Sequence, residues 1–245
     1  MDFALSEDQL ELKHSAHAWL ADRFPLDRDW DSTDDRWSEL EELGWLDVAE
    51  AGLGFVEEAL LLEETGYVLY PGPLLAHVAS LAVGGDDSAT VDPTRPLWQV
   101  EEETPRFRAA CAAEALGVAQ RALDLGVEHA KTRVQFGKPI GTYQAVSHPL
   151  AQTYTDVELA RSLVYWAAWC VAEEDDRAEV AAASAKAFAT EAAVAACERS
   201  IQAHGGIGFT WEHPLHRFYK RALWLEGFGQ RPAALRLQVA EALLA

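Results

Sequence analysis

Apolar residues recur at spacings of three, four and seven through the second half of this 245-residue chain. Leu116, Leu123, Val127, Ala130 and Val134 form one helical stripe. Val146, Leu150, Val157, Ala160, Val164 and Val171 form the next. An Ala-rich stretch from Arg177 to His204 predicts a third long helix, whose small side chains allow close packing. Two shorter helices are predicted over 212–223 and 232–244. In the first half, Ser6 followed by Glu7, Asp8 and Gln9 reads as a helix start: a hydroxyl cap, then acids facing the positive helix end. That helix runs to Arg23, ahead of Pro25. Others are predicted over 36–43, closed by Gly44, over 55–65, closed by Gly66, and over 74–83, after Pro71 and Pro73. Long antiparallel helices with short links make a bundle of four or five, so the fold class is all-α.

One region breaks the pattern. Gly84-Gly85-Asp86-Asp87-Ser88 reads as a loop. Residues 94–100, with Trp98 and Val100 at alternating positions, read as a short extended segment. The chain divides accordingly into a helical part over 1–83, a middle segment over 84–105 and a helical bundle over 106–245.

Composition narrows the function classes. A formal net charge of -20 and a pI near 4.7 argue against nucleic acid and anionic membranes as partners. An anionic cofactor needs only a local basic pocket and stays open. Cys111, Cys170 and Cys197 are odd in number and widely spaced, which suggests reduced thiols in a cytoplasm rather than a disulfide frame or zinc site. The acidic N-terminus is unlike a targeting peptide, and no apolar run stands out as long enough to span a membrane.

The chemistry concentrates in two blocks. The first is Arg133-Val134-Gln135-Phe136-Gly137-Lys138-Pro139-Ile140 with Gln144 after it; the second is Ile201-Gln202-Ala203-His204-Gly205-Gly206-Ile207-Gly208-Phe209-Thr210. Each ends a long helical stretch, where a chain turns and can hold a phosphate. In this order and spacing they resemble the C-terminal helical domain of the acyl-CoA dehydrogenase family. Phe3-Ala4-Leu5-Ser6-Glu7-Asp8-Gln9, Leu43-Gly44-Trp45-Leu46 and Leu62-Glu63-Glu64-Thr65-Gly66 are similar to the family's N-terminal helices. The family's β-barrel-like middle domain has only residues 79–105 in its place. Asp92-Pro93-Thr94-Arg95-Pro96-Leu97-Trp98-Gln99-Val100 resembles that domain's last strand.

The resemblance implies a function. The family oxidises CoA thioesters to trans-2-enoyl-CoA with FAD, and its middle domain carries most of the flavin-ring contacts. Its C-terminal domain reaches across a dimer interface to the adenosine and pyrophosphate half of the FAD on the neighbouring subunit. By resemblance Arg133, Phe136 and Gln144 meet that half, with Gln202, Gly205 and Gly206 in the facing loop. Arg supplies fixed donors to phosphate oxygens, glycines let backbone N–H groups approach an anion, and Phe offers a face to adenine or ribose. The plainer roles are a surface ion pair for Arg133 and a helix C-cap for the glycines. The family's α-proton base resembles Glu226 in Leu225-Glu226-Gly227, with Phe228 where the family has Thr; the plainer role is a solvated Glu in a loop before the last helix. Arg108 matches an arginine near the family's acyl pocket, and its plainer role is an ion pair. The family's other base position holds Phe107 here, with Glu114 one turn on. His213 and His216 lack the further ligands a metal site needs, so no metal is expected. Trp166 and Trp169 are expected in the core.

The implied assembly is a shortened subunit that works on an acyl-CoA with a second acyl-CoA dehydrogenase-like chain as a hetero-oligomer, of the actinobacterial kind that oxidises sterol-derived thioesters. An electron-transfer flavoprotein is the implied acceptor. A non-catalytic scaffold subunit, a flavin-free hydratase or lyase and a helical interaction protein remain alternatives.

Overall fold

A computed structural model of the chain describes residues 4–32, 34–48, 51–80 and 103–244. The expected extended segment at Trp98 and Val100 lies outside them. Four helices precede the bundle: α1 (Glu7–Arg23), α2 (Trp37–Glu42), α3 (Phe55–Val68) and α4 (Leu74–Ser80). The bundle follows as α5 (Pro105–Thr132), α6 (Gln144–Ala172), α7 (Ala178–His204), α8 (Leu215–Gly227) and α9 (Pro232–Leu244). Among the described residues the sheet content is one antiparallel hairpin of β1 (Val134–Gln135) and β2 (Lys138–Pro139). The all-α expectation holds.

Local chemistry explains the starts. Ser6 Oγ accepts the Gln9 N–H at 3.2 Å while the Gln9 side chain accepts the Ser6 N–H at 3.0 Å, a closed capping box on α1. Thr104 Oγ1 accepts the Phe107 N–H at 3.1 Å and Pro105 occupies the first turn of α5, where its missing N–H costs nothing.

The core is built around α5. Its small residues, including Ala109, Ala110, Ala112, Ala113, Ala115 and Ala119, are all inaccessible to solvent, so α3, α6, α7 and α8 close over it. Gly66, expected to end α3, lies within that helix instead. Leu69, at φ 56°, ends it. Gly66 and Gly117 are crossing residues: a Cβ at Gly66 would overlap the Glu114 carbonyl, and one at Gly117 the Glu63 carbonyl. The two backbones touch because neither side chain is there. One hydrophobic cluster therefore runs from Ala16 and Leu20 on α1 to Leu225 on α8. Trp166 and Trp169 are half-buried and pack against its edge.

Charges enter the packing in pairs. Glu63 accepts from Arg161, from Lys13 and from Tyr165 OH at 2.8 Å, while Glu64 binds His17 Nδ1 at 2.7 Å and Lys13 at 3.2 Å. This network ties α1, α3 and α6. Glu114, the stand-in base considered above, pairs with Arg221 at 2.6 Å in the core between α5 and α8. The three thiols are free and buried, and burial pushes Cys111 up to about 12. Contrary to the expectation for membrane-length runs, Ala178–Phe209 is long and apolar enough to cross a membrane, with a mean hydropathy of 1.3. Its most apolar window is 67% buried inside the bundle, the position of a core helix.

Gly117→Ala tests the α3–α5 crossing. The methyl meets a backbone carbonyl that cannot rotate away, so equilibrium denaturation should show a loss of about 1–3 kcal/mol. An unchanged midpoint would mean that the helices do not cross here.

Candidate functional site

The six residues expected at a cofactor gather at one end of the bundle, where α5 and α7 finish and α6 begins. Arg133 follows α5 directly. Residues 134–139 form the two-strand hairpin, which was not foreseen; the flanked Phe136-Gly137 pair was its signal. Both turn residues have positive φ, 51° for Phe136 and 79° for Gly137, as a tight hairpin with the right twist requires. For a bulky Phe that conformation is strained. Its ring is 92% exposed. Tyr143 braces the hairpin, with its OH donating to the Gln135 carbonyl at 3.2 Å and its ring 4.2 Å from Lys138 Nζ. Gln144 opens α6 just beyond.

The second block faces the first. Gly205, at φ 66°, ends α7, and its N–H bonds the Gln202 and Ile201 carbonyls, so it does serve as a C-cap. A Cβ on Gly205 or Gly206 would meet nothing within 4 Å. Open space thus lies over the backbone of Gly205 and Gly206, which open the turn Gly205–Phe209. His129 near the end of α5 stacks on His204 at 4.2 Å, and His204 lies 4.4 Å from His213, which joins the two blocks. His204 Nδ1–H donates to the Ser200 carbonyl at 2.8 Å. Burial lowers His129 and His204, and burial with both neighbouring imidazoles pushes His213 down to about 4. Among the described residues no group of three or more His, Cys, Asp and Glu could hold a metal; the His216 ring packs edge to face on Trp211 at 4.5 Å.

Three of the expected cofactor side chains at this end are unengaged. Arg133, Gln144 and Gln202 make no side-chain hydrogen bond or ion pair among the described residues, so Arg133 is not in the surface pair considered for it. Exposed Lys131, Arg133 and Lys138 make a basic patch on an otherwise acidic chain. Phe209 and Trp211, at and just after the end of the second block, are exposed as well. Free donors, an aromatic face and an uncovered glycine backbone fit the phosphate and adenosine part of a dinucleotide.

Glu226 and Arg108 lie at the other end, where α5 begins and α8 finishes. Arg108 and Arg133 are separated by about 38 Å along α5, at 1.5 Å per residue. Glu226 sits in the last turn of α8 rather than in a loop, because that helix extends to Gly227. It is half-buried and makes no hydrogen bond or ion pair among the described residues. Arg108 is buried and engaged, donating to Glu179 at 2.8 Å, Gln230 at 3.3 Å and Glu103 at 3.4 Å. The structure does not join Glu226 to Arg108 directly. Phe107 and Phe228, the two departures from the family pattern, pack edge to face at 5.2 Å, and Phe228 stacks on Trp224 at 4.2 Å. An aromatic wall thus stands where the pattern has polar groups.

The histidine group gives a pH dependence. His213 titrates lower folded than unfolded, so the unfolded chain binds more protons between its ordinary value near 6.5 and about 4. Stability is present above that window and lost as pH falls through it. The melting temperature should fall from pH 7 to pH 5, and His213→Asn should flatten that slope. An unchanged slope would count against it.

Comparison with known proteins adds the context. Residues 99–244 match the family described as acyl-CoA dehydrogenase, C-terminal domain. The Mycobacterium tuberculosis protein acyl-CoA dehydrogenase IpdE2 is 43% identical over 145 residues, covering 55% of this chain and 44% of that protein. The chain thus spans under half the length of this curated relative. Among solved structures, the steroid ACAD Tcur3481–Tcur3483 superposes with a TM-score of 0.81 at 25% identity, covering 98% of this chain and 99% of that one. The ChsE4–ChsE5 complex from Mycobacterium tuberculosis superposes at 0.78 with 20% identity, covering 100% and 99%, and shows the same fold.

Proposed function

This chain belongs to the acyl-CoA dehydrogenase family, and we propose that it is one subunit of a flavin-dependent dehydrogenase that shares its FAD site with a partner chain. The observation that carries the reading is the separation of the two residue groups. The unengaged group around Arg133 and the group around Glu226 and Arg108 stand at opposite ends of α5, farther apart than one extended dinucleotide reaches. One end serves a cofactor held chiefly by another chain; the other faces a reacting thioester. Both ChsE4–ChsE5 and Tcur3481–Tcur3483 are named as pairs, which supports a two-chain assembly.

FAD, when bound, supplies the acceptor for the β-hydride. This chain's residues do the rest of the work at each end. Arg133 pairs with phosphate oxygens, Phe136 covers adenine or ribose, Gln144 and Gln202 bond what lies between, and Gly205 and Gly206 let the backbone close on the anion. Glu226 takes the α-proton beside the aromatic wall of Phe107, Trp224 and Phe228, which keeps water away. Arg108 holds Gln230, four residues on from Glu226. The product is a trans-2-enoyl-CoA. The acyl group is sterol-derived, on the strength of the relative named a steroid ACAD. Electrons leave through an electron-transfer flavoprotein, and buried free thiols suit a cytoplasmic complex.

A second reading is that this chain lends only its cofactor end and leaves catalysis to its partner. The full engagement of Arg108 by Glu103, Glu179 and Gln230 favours it.

Two variants test these readings in the co-purified complex, the first the shared site common to both and the second the choice between them. Arg133→Ala removes charge-assisted bonds to phosphate, so flavin affinity, read from flavin fluorescence on dilution, should weaken roughly 10- to 100-fold. Undiminished retention would sink the shared site. Glu226→Gln should slow turnover by about 10²–10⁴-fold with flavin still bound. Full activity would select the second reading.

A further inference from the structure

Lys186 takes no part in the chemistry above, yet it is the most buried cation among the described residues, at 1% exposure. It projects from α7 toward the turn that follows α8. Its Nζ donates to the Phe228 carbonyl at 2.5 Å and the Gln230 carbonyl at 3.1 Å. Phe228 is the C-cap of α8, so the ammonium sits at the negative end of that helix, where a cation is favoured. Glu103 completes the arrangement. Its carboxylate accepts the Gln230 N–H and lies 3.8 Å from Lys186 Nζ, and Arg108 takes the Gln230 side chain. Gly229 at φ 72° makes this closure possible, because a Cβ there would overlap the Glu103 carboxylate and come within 3.1 Å of Lys186 Nζ.

The turn is thus gripped through both backbone polarities by charges from two other segments. Burying an ammonium is costly, and desolvation indeed lowers the Lys186 pKa. A well-packed apolar side chain would give comparable stability. What the buried charge adds is a single geometry: carbonyls at Phe228 and Gln230 must point inward, and the Gln230 N–H must meet Glu103. Glu226 is two residues from Phe228 on the same helix end.

We infer that Lys186, with Glu103 as its countercharge, is a positioning residue that holds the 228–230 turn and thereby orients the α8 end carrying Glu226. The inference rests on the Glu226 reading above. It also specifies how a Phe-lined helix end keeps one orientation without a hydroxyl at position 228.

The test is Lys186→Met in the full chain within its flavin complex, read by hydrogen exchange and by kinetics. Amide exchange at Gly229 and Gln230 should rise at least about tenfold while α5 and α7 keep their protection. The kcat should fall about 10²-fold with KM for the thioester little changed, as for a misplaced catalytic group. Lys186→Met combined with Glu226→Gln should be no slower than Glu226→Gln alone, whereas a merely structural role would multiply the two losses. Lys186→Arg, which keeps charge and donors, should recover part of the rate. If Lys186→Met does not fold, Glu103→Gln removes the countercharge from the same turn and should raise exchange at Gln230. Unchanged exchange at 229–230, or multiplied losses, overturns the inference. If Glu226→Gln runs at full rate the base reading fails, and the exchange result alone then decides whether Lys186 holds the turn.

Discussion

Everything in this structure depends on α5 being narrow enough to be covered on every side. Alanines and two glycines let α3 and α7 approach its backbone, and the carbonyls of Glu63 and Glu114 lie where Cβ atoms would otherwise be. Close backbone approach yields many small dispersion contacts and little freedom to shift. A helix held this way acts as a rigid rod. Its first turn fixes Arg108 and its last fixes Arg133, and the distance between the two ends is set by helix geometry alone.

Polar groups are treated differently at those two ends. At the start of α5, Arg108, Glu103, Lys186 and Gln230 satisfy one another, and Phe107 and Phe228 exclude solvent between them. At the far end, Arg133, Gln144 and Gln202 make no side-chain hydrogen bond or ion pair among the described residues, and the Phe136 ring stands in solvent on a strained turn. Buried polar groups must be paired, so the first end is rigid by necessity. Exposed donors carry no such demand, and a strained exposed aromatic with free donors beside it is suited to grip something outside the chain. The same asymmetry supports the cofactor site proposed above.

Some of this could be read from residues in order. The helix start at Ser6 and the long helices of the bundle follow from local rules, because each depends on neighbours within a turn or two. Other features could not. Gly66 looks like a helix stop, and it stops nothing because α5 needs that space. Glu226 looks like a loop residue before a helix, but α8 ends four residues later than expected, with its end capped by a lysine 42 positions away. Lys186 itself is one polar letter in an Ala-rich run, with no local sign of its partners. Three histidines in ring contact come from three separate segments.

The sequence by itself determined the class of fold, the order of the helices and the identity of the two blocks that end α5 and α7, since short-range periodicity, capping chemistry and motif spacing are all local. Only the tertiary structure decided which of the candidate residues are free and which are engaged. Arg108 and Arg133 read alike as arginines near a motif. Folding buries the first among carboxylates and an amide and leaves the second exposed, without an ion pair among the described residues, because the partners of a buried charge arrive from segments as far as 122 residues away.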